Sequence, residues 1–194
     1  MSVPMTSENE RRLYRFQWLE RLEQAHAERY LKLFNQVLER DNTVGFPGPF
    51  DAAMGQRVVQ ELDRELRAGR AHLLVAEEGE RFLFQATLVQ SGSPNNRHMA
   101  GIFRAMVDPS ERGQGLMWQT LPVFISKCQS LGVDLVYIDV RAGCSAEKVW
   151  RHMGFKPFGV LPGYSRVNGQ SYDGIYMYMS VPEAAEIARR RMLE

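Results

Sequence analysis

Apolar residues along this chain change their period several times, and each change marks an element. Residues 13–18 alternate, with Leu13 and Arg15 opposite Tyr14, Phe16 and Trp18, which predicts a short strand. Leu22, Tyr30, Leu33, Phe34, Val37 and Leu38 fall on one stripe, so 19–40 is expected to be an amphipathic helix. Two prolines and two glycines interrupt 42–50. Asp51 can cap a second helix, in which Val58, Val59, Leu62 and Leu66 are periodic. After Gly69 the period shortens to that of strands: 71–77 and 81–89, joined by a turn at Glu78, Gly79 and Glu80. A polar loop, 91–97, leads to a strand at 99–107 that stops at Asp108-Pro109. Helical spacing returns at Trp118, Leu121, Ile125 and Cys128 and ends at Leu131-Gly132. A compact strand follows at 134–140, then a short helix from Cys144 or Ser145 carrying Ala146, Val149, Trp150 and Met153. Two last strands, near 157–167 and 172–181, are divided by Asn168-Gly169, a hairpin signal.

Strands that alternate with helices over 194 residues predict one α/β domain of mixed sheet. Its boundaries are expected at 12–181, with a loose tail at 1–11 and a C-terminal helical tail at 182–194. The unit of strand 99–107, helix and strand 134–140 favours a parallel pairing of those two strands.

Charge and cysteine content remove several function classes. The net charge is +1, so bulk charge offers nucleic acid or membranes no attraction. Arg189-Arg190-Arg191 reads as a solvated face. The two cysteines, Cys128 and Cys144, have neither a metal spacing nor a disulfide framework, so no metal is expected and a reducing cytoplasm is the default compartment. Residues 1–12 are polar and lack the apolar core of an export signal. No apolar run reaches membrane-spanning length.

The chemistry concentrates in Met106-Val107-Asp108-Pro109 and the following Arg112-Gly113-Gln114-Gly115-Leu116-Met117. A strand, a tight glycine loop and a helix N-terminus present main-chain N–H groups to an anion, and glycines let that anion come close. Arg112 adds a fixed charge that can fork onto phosphate oxygens. The alternative reading is a strand-to-helix turn in which glycine only relieves strain. No Gly-Lys-Ser/Thr follows, so this is not a nucleotide P-loop. The glycine spacing is not that of a dinucleotide fingerprint either.

Val107-x-Pro109-x-x-Arg112-Gly113-x-Gly115 resembles the acyl-coenzyme-A loop of the GNAT superfamily of N-acetyltransferases, with Met117 where that loop ends in Gly or Ala. Arg141-Ala-Gly-x-x-Ala146-Glu147-x-x-Trp150-Arg151-x-x-Gly154-Phe155 resembles the second block of these enzymes. Asn95-Asn-Arg-His98-x-Ala100, Val160-Leu-Pro-Gly-Tyr164, Asp173-Gly174 and Tyr176-x-Tyr178 are similar to the small-molecule branch typified by tabtoxin-resistance acetyltransferases.

The resemblance implies about seven mainly antiparallel strands flanked by helices, with a central parallel pair that splays to admit the pantetheine arm. It implies acetyl-CoA as acyl donor, held by Met106, Val107, Arg112, Gly113, Gln114, Gly115, Leu116 and Met117. A main-chain N–H freed by a bulge near Met106 or Val107 would steady the developing oxyanion. The acceptor implied is a primary amine of a small amino-acid-like molecule, and a homodimer through the last two strands is possible. Asp139 takes the place of a carboxylate to which that branch assigns proton transfer or amine binding; the alternative is pairing with Arg141 or a helix cap. Trp150 stands where many GNAT enzymes have a tyrosine acid. Tryptophan does not titrate usefully, so its catalytic part reduces to packing against the thioester, or it is a core residue. Tyr137, Tyr164, Tyr172 or water remain as possible acids. His98 is a plausible shuttle, whereas Cys144 lacks a neighbouring base to make it a nucleophile. Phe46 in 42–50, and Tyr164 and Tyr172 in 157–176, are candidate walls of the acceptor pocket; Phe46 alternatively plugs a gap between helices. The altered Met117 and Trp150 leave two other readings open: a GNAT-fold acyltransferase using an aminoacyl-tRNA or carrier-bound donor, or a non-catalytic acyl-CoA-binding module.

Overall fold

The computed structural model of this chain describes residues 12–41 and 44–192, so the expected tail at 1–11 and the last two residues lie outside the described residues. The elements run β1 (Phe16–Leu19), α1 (Gln24–Leu38), α2 (Ala52–Arg67), β2 (Ala71–Glu78), β3 (Arg81–Gln90), β4 (Met99–Val107), α3 (Leu116–Ser130), β5 (Leu135–Arg141), α4 (Ser145–His152), β6 (Lys156–Val167), β7 (Gln170–Ser180) and α5 (Val181–Arg191). The strands form one sheet in the order β1-β2-β3-β4-β5-β7-β6. All neighbours are antiparallel except β4 and β5, which run parallel as the connecting helix requires.

The sheet is covered on both faces, and this explains the continuous apolar runs in its central strands. Leu74, Ala76, Phe84, Ala86, Leu88, Ile102 and Ile138 pack on α3, α4 and α5. Leu73, Val75, Phe82 and Met106 pack on α1 and α2. The stripe on α1 is buried as its periodicity demands, with Tyr30 and Phe34 fully enclosed. Asp51 caps α2 by accepting the Met54 N–H at 2.7 Å. Asn168 and Gly169, at φ 52° and 78°, form the turn between β6 and β7. The segment read as a tail is α5: Ser180 caps it, and Val181 and Ala184 enter the core. Among the described residues no helix is long and apolar enough to cross a membrane.

Two boundaries differ from the pattern-based expectation. The first strand begins at Phe16, not at 13, because the residues before it are held elsewhere. Arg12 donates to both carboxylate oxygens of Glu111 at 3.1 and 2.9 Å, and the Tyr14 hydroxyl donates to Glu111 at 2.9 Å. The Tyr14 N–H goes to Gln119 Oε1, and Gln119 returns a bond to the Arg12 carbonyl. Helix α1 begins at Gln24, not at 19, because Leu19 still pairs with Leu73 in the sheet and the Leu22 N–H is taken by Asp63.

The clamp on Glu111 secures the turn that precedes α3, and it titrates. Burial, then the hydrogen bond to Glu111, pushes the Tyr14 phenol up to about 12 from its ordinary 10.0. The folded state therefore holds this proton more tightly than the unfolded chain. Its contribution is complete below pH 10 and is lost as pH rises toward 12. Tyr14→Phe should flatten that part of the alkaline decline in urea-unfolding free energy, and Glu111→Ala should lower stability at pH 7 by about 1–3 kcal/mol.

Candidate active site

The site begins with a failure of pairing. Strands β4 and β5 meet only at Met99↔Leu135, Ala100↔Val136 and Gly101↔Tyr137. Beyond this, β5 stays with β7 as far as Arg141↔Gly174, and β4 stays with β3 as far as Val107↔Phe84. The two strands are held from their outer sides and part from each other. Gly101 is the last rung, and no side chain fits there: a Cβ would stand 2.5 Å from the Phe103 ring. Immediately after it β4 bulges, with Arg104 and Ala105 standing opposite Ala86 alone. Arg104 takes φ 52°, a left-handed conformation that costs a non-glycine residue free energy. The bulge was expected near Met106 or Val107. Those two residues pair regularly with Gln85 and Phe84, and the extra residue lies earlier. The main-chain groups of β4 that would have met β5 face the gap instead.

A cavity of about 1080 Å³ passes through this gap, large enough for a ligand of coenzyme size. Its mouth is the glycine loop. Gly113 and Gly115 lie at φ 79° and 77°, which turns the chain from β4 into α3. Helix α3 has no side-chain cap. Among the described residues the N–H groups of Gly113, Gly115, Leu116 and Met117 have no hydrogen-bond acceptor. Four main-chain donors at a helix N-terminus are an anion cradle. Arg112, exposed and in no ion pair with a described residue, lines the same cavity. Met106, Val107, Gly113, Gly115, Leu116 and Met117 line it too, while Gln114 is exposed and does not.

Asp139 lies on β5, on the face opposite Ile138 and Val140, and lines the cavity half-buried. The Tyr164 hydroxyl donates a short hydrogen bond to Asp139 Oδ2. Tyr164 reaches this position through a second irregularity: Pro162, Gly163 and Tyr164 stand where β7 has only Asp173. The Asp173 carboxylate holds the detour by accepting the Gly163 N–H at 3.0 Å. The Tyr164 ring then crosses Gly174, where a Cβ would come within 2.8 Å of the Tyr164 Cβ. Burial, and then the bond to Asp139, push the Tyr164 phenol up, so it stays protonated and acts as a donor.

The other residues singled out in the sequence occupy varied places. Trp150 is buried in the core against Phe155, with ring centroids 4.9 Å apart, and also borders the cavity. Phe46 packs with Phe34 and Phe50 between α1 and α2, the gap-filling position, and lies 5.9 Å beneath the Arg104 guanidinium. Tyr172 lies off the cavity, with Arg141 4.4 Å above its ring and its hydroxyl donated to Gln170. His98 is exposed; its carbonyl accepts the N–H groups of Asp134 and Leu135 and so starts β5. Cys144 stands at the N-cap of α4.

Two residues of the cavity wall were not anticipated. Arg191, read as part of a solvated face, turns inward with its guanidinium 4.0 Å above the Trp118 ring, whereas Arg189 and Arg190 pair with Glu186. With Arg112 and Lys148 it gives the cavity a positive rim. Arg104 is the second; a lone arginine inside the apolar strand 99–107 was the available signal.

No family model matches the sequence. Solved structures do match in fold. A ribosomal-protein-alanine N-acetyltransferase from Brucella melitensis superimposes with a TM-score of 0.69 at 21% identity, over 87% of this chain and 99% of that one. A Salmonella typhimurium protein provisionally described as an acetyltransferase, solved with its cofactor acetyl-CoA, gives 0.70 at 14% identity, over 88% and 95%. A protein provisionally designated a phosphinothricin N-acetyltransferase gives 0.67 at 18% identity, over 86% and 99%. The architecture is the GNAT fold.

The seating of Tyr164 on Gly174 gives a structural prediction. Gly174→Ala should expel Tyr164 from Asp139, and ultraviolet titration should then find one tyrosine that ionises at lower pH than in the parent. Unchanged alkaline titration would mean that Gly174 does not set this contact.

Proposed function

We propose that this chain is an acyl-CoA-dependent N-acetyltransferase of GNAT type, acting on a primary amine of a small amino-acid-like molecule. The observation that carries the reading is the placement of two features in one cavity. Unpaired N–H groups of the glycine loop lie at one end, and the Asp139–Tyr164 pair stands beside the open gap between β4 and β5. The acetyl-CoA of the Salmonella structure supports the donor, and the names of the other two structures support transfer to nitrogen.

The donor set fits a phosphate-bearing carrier. The N–H groups of Gly113, Gly115, Leu116 and Met117 offer hydrogen bonds to a diphosphate, and Arg112, Lys148 and Arg191 offer charge. Bound there, acetyl-CoA supplies a thioester: the amine nitrogen bonds to the carbonyl carbon, the C–S bond breaks, and the proton that the nitrogen sheds as the amide forms neutralises the departing thiolate. Asp139 accepts a proton from the incoming ammonium, leaving the nitrogen lone pair free. Tyr164 fixes the carboxylate that does so, and its raised phenol makes it a poor acid for the leaving sulfur. Trp150 closes the apolar wall. Holding both reactants in one gap supplies much of the acceleration. A homodimer would use β6, an edge strand whose Phe158, Val160 and Leu161 face solvent.

Acetyl-CoA should bind saturably, and Asp139→Asn should lower turnover by about 10²–10⁴ with coenzyme affinity nearly unchanged. Arg112→Ala should do the reverse, raising the dissociation constant for acetyl-CoA. No binding at millimolar acetyl-CoA, or turnover only with an acylated tRNA or carrier protein, would reject this donor. A fully active Asp139→Asn would reject this base.

A further inference from the structure

The cavity continues past the β4–β5 gap onto the α1–α2 face of the sheet, where Thr87, Phe103 and Arg104 line it. Arg104 is half-buried, and among the described residues its guanidinium forms no salt bridge. Its guanidinium lies over the Phe46 ring and within hydrogen-bonding reach of the buried Tyr30 hydroxyl. The other cations of the cavity are placed differently. Arg112, Lys148 and Arg191 rim the side of the glycine loop and the helices α3 to α5, and Arg141 is held by Tyr172 and Ser165.

Around Arg104 the sheet carries buried polar groups. Among the described residues the Thr87 hydroxyl and both amide atoms of Gln85, buried on β3, have no partner, and these residues flank the β4 bulge on the partner strand. The Tyr30 hydroxyl, fully buried on α1, is met by Arg104. Each unmet group costs free energy unless a ligand or water meets it. Thr87 borders the cavity, although its hydroxyl is enclosed by the protein. Arg104 itself holds a left-handed backbone that any glycine would adopt without strain. A strained arginine that lines the cavity with no acidic partner among the described residues is a group that a bound anion would complete.

Across the gap, on the same face of the sheet, stands Asp139. One of the parting strands thus offers a fixed cation and the other a fixed carboxylate. We propose that Arg104 binds the carboxylate of a zwitterionic acceptor whose ammonium group goes to Asp139, so that the acceptor is a free amino acid or an analogue that keeps its acid group. Arg104 is then a specificity residue that reads the end of the substrate remote from the bond being made. A guanidinium takes a carboxylate by two parallel N–H···O bonds, and a carboxamide cannot complete that pattern.

This inference rests on the proposed transferase activity, and one experiment separates the two. A panel of L-α-amino acids and their matching carboxamides is incubated with labelled acetyl-CoA and the full chain. In parallel, binding of the N-acetyl amino acids and their amides is measured by ligand-observed NMR, and acetyl-CoA affinity by calorimetry. The parent should acetylate its preferred acids at least tenfold better, in kcat/KM, than their amides. Arg104→Lys should keep part of that ratio. Arg104→Gly should bring it to near unity and melt no lower than the parent, with acetyl-CoA affinity unchanged. Equal use of acids and amides by the parent, or a ratio that survives Arg104→Gly, overturns the role of Arg104. If neither series is turned over or bound while acetyl-CoA still binds, the zwitterionic acceptor is wrong and the donor site stands. If acetyl-CoA fails to bind as well, the transferase reading falls with it.

Discussion

Everything distinctive here depends on hydrogen bonds that are not made between β4 and β5. Two parallel strands in the middle of a sheet would ordinarily pair along their length, because unpaired main-chain groups away from water are costly. Here pairing stops at Gly101↔Tyr137. Each strand is held by its outer neighbour, β3 or β7, so the sheet tolerates the gap. The bulge at Arg104–Ala105 turns β4 aside at the point where pairing ends. The cost of the gap is met by the packed faces on either side of the sheet, and the return is a channel through an otherwise solid core.

The groups around that channel are each fixed by an unrelated part of the chain. The glycine loop is anchored from below by Glu111, which Arg12 and Tyr14 hold from almost a hundred residues away. Asp139 is oriented by Tyr164, which sits on Gly174 because β6 carries extra residues there. Arg191 comes from the last helix and is steadied by Trp118 from the first turn of α3. Reacting groups held by side chains that are themselves packed need little reorganisation when a ligand arrives.

The elements were legible in the sequence because periodicity reports burial. The stripe on α1, the cap at Asp51, the turn at Asn168-Gly169 and the run 134–140 each follow from a local rule. The order of strand, glycine loop, helix and strand also pointed to the parallel pair. What escaped is what periodicity does not encode. A bulge adds a single residue and shifts no pattern that a short strand can display, so Arg104 read as an interruption in 99–107. The first strand started late because Arg12 and Tyr14 have partners far off in sequence. Arg191 is one of three arginines in a row, and only packing distinguishes it from the two that pair with Glu186. Tyr164 was one of several candidate tyrosines, and its link to Asp139 depends on a detour in β6.

The central claim is that main-chain amides of the loop and first turn of α3 grip an anionic acyl carrier. Amide-resolved hydrogen exchange with and without acetyl-CoA tests it most directly. The account predicts that exchange at Gly113, Gly115, Leu116 and Met117, which have no acceptor among the described residues, slows when acetyl-CoA is added. Exchange at these four amides that is unchanged at saturating acetyl-CoA, or protection confined to another face of the sheet, would contradict it.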